Sequence, residues 1–276
     1  MVALDNLALV FVAGLLTALA TGVGALPFFV FDDISTRWNV VLWGLASGIM
    51  VSASLFGLVL EGLAVVDGTW VDAAVAIGPG VVAGVLLVVV GHEVLEGAEV
   101  DPRQYEEADF KKLVLVLGIL TVHSFPEGVA VGVSFAELGL QNVPAADTLV
   151  VGGLTLPILA VFMTIAISIH NVPEGVAISI PLRSMGVSEW RMVWWAVFSS
   201  LPQPIGAVIA YYFVTLAKQF LPFGFGFAAG AMVYLVLTEF IPEALDDGQG
   251  LPRNGRPELA AGLVTGLLVM IPLAFV

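Results

Sequence analysis

The chain contains no cysteine. Disulfides are therefore excluded, and thiolate metal ligands with them. Charge is the next scarcity. Only 12% of the 276 residues are charged, about half the share of a globular domain. Basic residues are the fewest, nine Lys and Arg against 23 Asp and Glu, for a net charge of −14. So acidic a chain is not expected to take nucleic acid as a partner. Histidine is scarcer still, at three residues.

What remains is apolar. Hydrophobic residues make up 59% of the chain, and the mean hydropathy is +1.03. A soluble core of this size cannot hide that many apolar side chains, so the composition indicates a polytopic membrane protein. Most of the acids fall in polar stretches such as DPRQYEEAD and EALDDG. They fit first a solvated surface, as in a high-salt organism, with a surface that collects cations as the alternative.

Eight apolar segments reach the roughly 20 residues that a ~30 Å hydrocarbon layer requires. Their limits are 5–30, 40–63, 72–96, 112–138, 154–182, 190–214, 222–245 and 257–276. The first has no basic leading region and no clear cleavage site, and it is too long for a signal peptide. Eight of the nine basic residues fall in odd-to-even connections: Arg37, Arg103, Lys111, Lys112, Arg183, Arg191, Arg253 and Arg256. Only Lys218 lies in another. The positive-inside rule then puts those connections in the cytoplasm and both termini outside the cell membrane. The longest polar connection, around 97–111, is short, and the whole chain, 1–276, reads as one all-α transmembrane domain.

Two windows carry chemistry. Residues 123–130 read HSFPEGVA and residues 170–177 read HNVPEGVA, identical at six of eight positions. Both sit inside apolar segments, where an ionisable side chain is costly and usually pairs or lines a polar path. His123 and Glu127 are four residues apart and share a helix face, as do His170 and Glu174. Two facing antiparallel helices could combine them into an N₂O₂ set suited to Zn²⁺, Fe²⁺ or Mn²⁺. Pro126 and Pro173 each remove a helical N–H, so a kink is expected beside each histidine. Gly128 and Gly175 allow close helix approach. His123 lies 11 residues after Lys112, roughly 16 Å of helix, which puts it near the midplane.

At these residues the chain resembles the ZIP family, the zinc- and iron-regulated-transporter-like metal carriers, and is most similar to its prokaryotic GufA-type branch. The flanks AISIHNVPEGVAISIPLR, SSLPQPIGA and MVYLVLTEFIPEA agree with the family, as does WGLASGIMVSASLFGLVLEGL in segment 2. The resemblance implies eight helices with both termini outside and a transported divalent metal held between helices 4 and 5. His123, Glu127, His170 and Glu174 would be its ligands. It also implies a second, adjacent position that shares the two glutamates and adds Ser124, Asn171 and Gln203. Ser124 stands for the family's usual Asn, and Gln203 for its usual Glu. Gln203 would offer a carbonyl oxygen but no charge, so one well-held ion and a weak or absent second are expected.

The other polar residues read more simply. His92 and Glu96 share a face at the cytoplasmic end of segment 3, where a solvated helix end or a metal relay would fit. HEVLEGAE lacks the second histidine of a metalloprotease motif. Glu239 and Glu243 share a face at the end of segment 7, as a helix end or on a metal exit path. Pro202 and Pro204 should break helix 6 beside Gln203. Glu61, Asp67 and Asp72 gather near the outer end of segment 2. The function expected is a carrier of zinc, with iron, manganese and cadmium as further candidates, moving metal inward by alternating access. No cofactor is expected, the lipid bilayer is the partner, and a homodimer is left open. The competing expectation is a membrane-embedded His/Glu metalloenzyme. Di-iron helix pairs, however, use Glu-x-x-His at i, i+3 rather than His and Glu at i, i+4.

Overall fold

The computed structural model describes residues 4–31, 33–96, 107–139 and 147–270. Residues 97–106 of the acidic connection, Arg103 among them, lie outside the described residues. Apolar chain at membrane depth has no water to bond its backbone, so helices are the available solution. We number the rods α1 to α8. α1 is Leu4–Val23. α2 is Thr36–Ser52, continued through a π-helical stretch, Ala53–Val59, and a last turn, Leu60–Ala64. α3 is Trp70–Glu96 and α4 is Glu107–Ser134. α5 is Ile158–Ser184. α6 is broken into Glu189–Ser199 and Pro202–Leu216. α7 is Leu221–Leu235, continued through a π-helical stretch, Val236–Phe240, to Ile241–Asp247. α8 is Arg256–Met270.

Six of these rods are long and apolar enough to cross a membrane: Leu4–Phe29, Thr36–Ala64, Trp70–Val94, Ile158–Arg183, Glu189–Leu216 and Lys218–Gly250. α4 and α8 are not among the six by that measure, so the count of eight crossings still rests on the sequence. The all-α class needs one addition. Strands Thr148–Val151 and Leu154–Pro157 form an antiparallel hairpin before α5. Gly152 and Gly153 turn it, with φ of 59° and 85°, the two successive positive values of a tight hairpin turn. The fifth segment therefore enters its helix at Ile158 rather than at 154. Both prolines of the repeated motif lie inside unbroken helices, so the expected kinks do not interrupt them. Helix 6 does break where expected: Pro202 opens its second half, a position where the missing N–H costs nothing.

The surface is inverted relative to a soluble protein. Val75, Val82, Leu86 and Val90 recur at helical spacing on α3 and are exposed, as a lipid-facing stripe requires. The polar side chains His123, Ser124, Glu127, His170, Asn171, Glu174 and Gln203 are buried. Packing follows a simple plan. α2 pairs with α8, α3 with α7, α1 with α5, and α4 with the second half of α6. α1 also packs on both halves of α6 and α5 on its first half, while α2 covers α5 and α7 covers α4.

Glycine sets the closeness of these pairs. A Cβ on Gly44 of α2 would run into the Leu259 carbonyl oxygen, and one on Gly262 of α8 into that of Val41. Without a hydrophobic drive between helices in lipid, such backbone-to-backbone contact supplies the packing. Gly262→Ala should therefore lower stability by roughly 1–3 kcal/mol, because the neighbour at the contact is backbone and cannot yield. Gly78→Ala is the control, since nothing lies within 4 Å of a Cβ there. It should shift the melting temperature in detergent far less than Gly262→Ala.

Candidate metal centre

α4 supplies Glu127 and α5 supplies His170 and Glu174, and each of the three is buried. One ligand atom from each lies within 4.8 Å of the others. The i, i+4 spacing on α5 stacks His170 and Glu174 one turn apart on the face toward α4. His170 Nε2 is 3.2 Å from Glu127 Oε1. Its ring is held from behind by Phe240 of α7, stacked with ring centroids 5.4 Å apart and planes 15° apart. Phe240 in turn packs against Trp43 of α2 at 5.0 Å.

Glu174 is the anomaly. Both of its carboxylate oxygens are buried without a hydrogen-bond partner. A carboxylate taken from water costs several kcal/mol unless it is paired and hydrogen-bonded. Here its nearest charged neighbour in the cluster is a second carboxylate. His170 Nδ1 and Asn171 Oδ1 are buried and unpartnered as well. Beside the partnered Glu127, the cluster thus holds several buried polar atoms that no partner meets, both Glu174 oxygens among them, which is the chemistry of a cation site.

The eight expected ligands divide. Glu127, His170 and Glu174 come together. His123 is buried and its Nδ1 has no partner, but it does not join the 4.8 Å group. It stands within electrostatic reach of both His92 and His170. Ser124 is fully buried. Asn171 and Gln203 are tied into the cluster by hydrogen bonds. Asn171 Nδ2 donates to the Thr17 carbonyl at 2.7 Å and to Gln203 Oε1 at 3.1 Å. Gln203 Nε2 donates to Glu127 Oε2 at 2.6 Å. Gln203 therefore turns its N–H, not its carbonyl oxygen, toward Glu127. The approach depends on Gly128, where a Cβ would strike the Gln203 backbone carbonyl. The break before Pro202 is secured by Thr21 Oγ1 and Ser200 Oγ, 2.7 Å apart.

Glu239 lies apart from the cluster. Its Oε1 is 3.0 Å from His92 Nδ1, so His92 is more than a solvated helix end: it joins α3 to the π-helical stretch of α7. The side chain of Glu96 lies outside the described residues. Asp72 is engaged locally, accepting from Thr69 N and Thr69 Oγ1 at 2.8 Å each. Phe240 was missed from the sequence, where no pattern marks it. The glycine contacts of α2 and α8 were missed as well, although the Gly-x-x-x-Gly spacing of Gly44 and Gly48 and of Gly262 and Gly266 marks them.

Apolar rods of membrane length around a buried His–carboxylate cluster define a multi-pass membrane protein. The comparisons carry the class to a family. The family model described as ZIP Zinc transporter matches residues 151–274, which include His170, Glu174 and Gln203. Zinc transporter GufA of Myxococcus xanthus is 32% identical over 267 residues, 94% of this chain and 96% of that protein. Zinc transporter ZIPB of Bordetella bronchiseptica is 34% identical over 266 residues, 91% of this chain and 76% of that protein. A longer protein of Arabidopsis thaliana is 40% identical over 232 residues, 83% of this chain but 33% of its own length. The chain belongs to the ZIP family.

Removing the unpartnered charge should have opposite effects with and without metal. Glu174→Gln should raise the melting temperature of the metal-free protein, by roughly 2–4 °C per kcal/mol of burial cost relieved. Added Cd²⁺ should raise the melting temperature of the unaltered protein and leave that of Glu174→Gln unchanged. Thermal unfolding in detergent with and without Cd²⁺ checks both.

Proposed function

We propose that the chain carries a divalent transition metal, zinc first, across the cell membrane into the cytoplasm, with Glu127, His170 and Glu174 as its ligands. The observation that carries the reading is Glu174, a buried carboxylate with neither oxygen partnered, beside a second carboxylate and an imidazole. Zinc takes N and O ligands readily, and Fe²⁺ and Mn²⁺ suit the same donors. The names of the near-full-length relatives GufA and ZIPB support zinc. The enzyme reading is set aside with the family.

In this reading His123 is the next ligand along the path, between the cluster and His92. His92 and Glu239, partly exposed and 3.0 Å apart, would receive the ion on the cytoplasmic side. The charge asymmetry of the connections supports that direction and places both termini outside. At the other end of the bundle Glu61, Glu137 and Asp147 lie within electrostatic reach of one another and would draw cations toward the mouth. α1, α4, α5 and α6 carry every ligand of the cluster and would move as one body against α2, α3, α7 and α8, giving alternating access.

Zn²⁺ or Cd²⁺ flux into proteoliposomes tests the site. Glu174→Ala and His170→Ala should each cut flux at least tenfold, and unchanged flux with unchanged metal content would sink the assignment. Binding must displace protons from imidazole or carboxylate. Metal affinity should accordingly fall as pH falls, by about tenfold per pH unit for each proton displaced. Metal titrations between pH 5.5 and 7.5 read this directly, and a flat profile would contradict it.

A further inference from the structure

The hydrogen-bond chain beside the cluster limits what the cluster can hold, an inference that rests on the metal reading above. The chain runs from the Thr17 carbonyl to Asn171, to Gln203, to Glu127, linking α1, α5, α6 and α4. Both of its ends are acceptors only, a backbone carbonyl and a carboxylate. That forces the direction of every bond. Asn171 must present Nδ2 to Thr17, and Gln203 must present Nε2 to Glu127. The amide oxygen of Gln203 is then left to face the Asn171 N–H. All three side chains are fully buried, so no water competes for these groups.

The geometry points to Gln203 as the residue that holds the site to a single ion. Glu127 has two oxygens. One is directed to His170, and the other accepts the Gln203 N–H at 2.6 Å. The second oxygen is therefore occupied by a donor, and a cation on that side would meet the N–H rather than a lone pair. Gln203 supplies part of a positive charge where another ion would otherwise sit. Charge balance agrees. Two carboxylates and one divalent ion sum to zero, whereas a second ion would leave two uncompensated positive charges in a low-dielectric interior. The amide also positions Glu127, leaving Oε1 directed at the cation. Supporting residues of this kind are worth 10–100-fold in metal affinity.

Gln203→Glu reverses the chemistry at one atom pair. An acceptor then faces Glu127 Oε2, and the unpartnered Asn171 Oδ1 lies in the same chain. Equilibrium dialysis of the purified full-length protein against Cd²⁺, with elemental analysis, gives the stoichiometry. The unaltered protein should bind one ion per chain and Gln203→Glu two. Gln203→Met, which removes both amide groups at similar volume, should keep one ion with affinity reduced about tenfold or more. Two ions of comparable affinity in the unaltered protein overturn the inference. So does a folded Gln203→Glu that binds one, or a Gln203→Met with unchanged affinity. If Gln203→Glu fails to fold, the other two measurements still decide. An unaltered protein that binds no ion overturns the metal reading itself, and this inference with it.

Discussion

Two carboxylates and an imidazole within 4.8 Å of one another, inside a bundle built to face lipid, form the constraint on which the structure turns. Water does not reach them, and Glu174 has no donor on either oxygen. Such an arrangement is expensive when empty and balanced when it holds a divalent cation. The protein tolerates the cost because the surrounding helices leave little room to rearrange. Phe240 backs His170, Trp43 backs Phe240, and Gln203 holds one side of Glu127. The cluster is consequently preorganised from three directions, each on a different helix.

Close helix contact is what permits that convergence. Gly128 lets the second half of α6 come near enough for Gln203 to reach Glu127. Gly175 of α5 likewise meets the Thr21 carbonyl of α1, beside the hydroxyl that steadies the break in α6. Glycine in mid-helix is unfavourable in water, but in lipid it lets backbones touch and dispersion replace the absent hydrophobic drive. The same economy places the π-helical stretches. In α7 that stretch carries both Glu239, paired with His92, and Phe240, stacked on His170. One irregular turn thus serves the cluster on one side and the His92–Glu239 pair on the other, in keeping with the usual location of π-helical turns at functional sites.

Much of this was legible before any fold was known. Apolar runs of spanning length, the basic residues in alternate connections, and His and Glu at i, i+4 are local patterns, and local patterns survive folding in lipid because the backbone has few alternatives. The hairpin before α5 was read as helix because Leu154–Pro157 is apolar and short apolar runs do not distinguish strand from helix. The kinks expected at Pro126 and Pro173 did not break the helices, since each proline removes one hydrogen bond and the packed neighbours hold the rest. His92 looked like a helix end because its partner, Glu239, lies 147 residues away in sequence.

By itself the sequence determined the membrane class, the helical rods and the His–Glu pairs that share a helix face. Each of those follows from composition or from spacing along one segment. Tertiary structure alone decided which pairs meet. It brought Glu127 to His170 and Glu174 and left His123 one step away, a matter of how α4 slides and rotates against α5. It also decided the sense of Gln203. An amide carries a donor and an acceptor on one carbon, and only the carbonyl and carboxylate at the two ends of its hydrogen-bond chain select which faces Glu127.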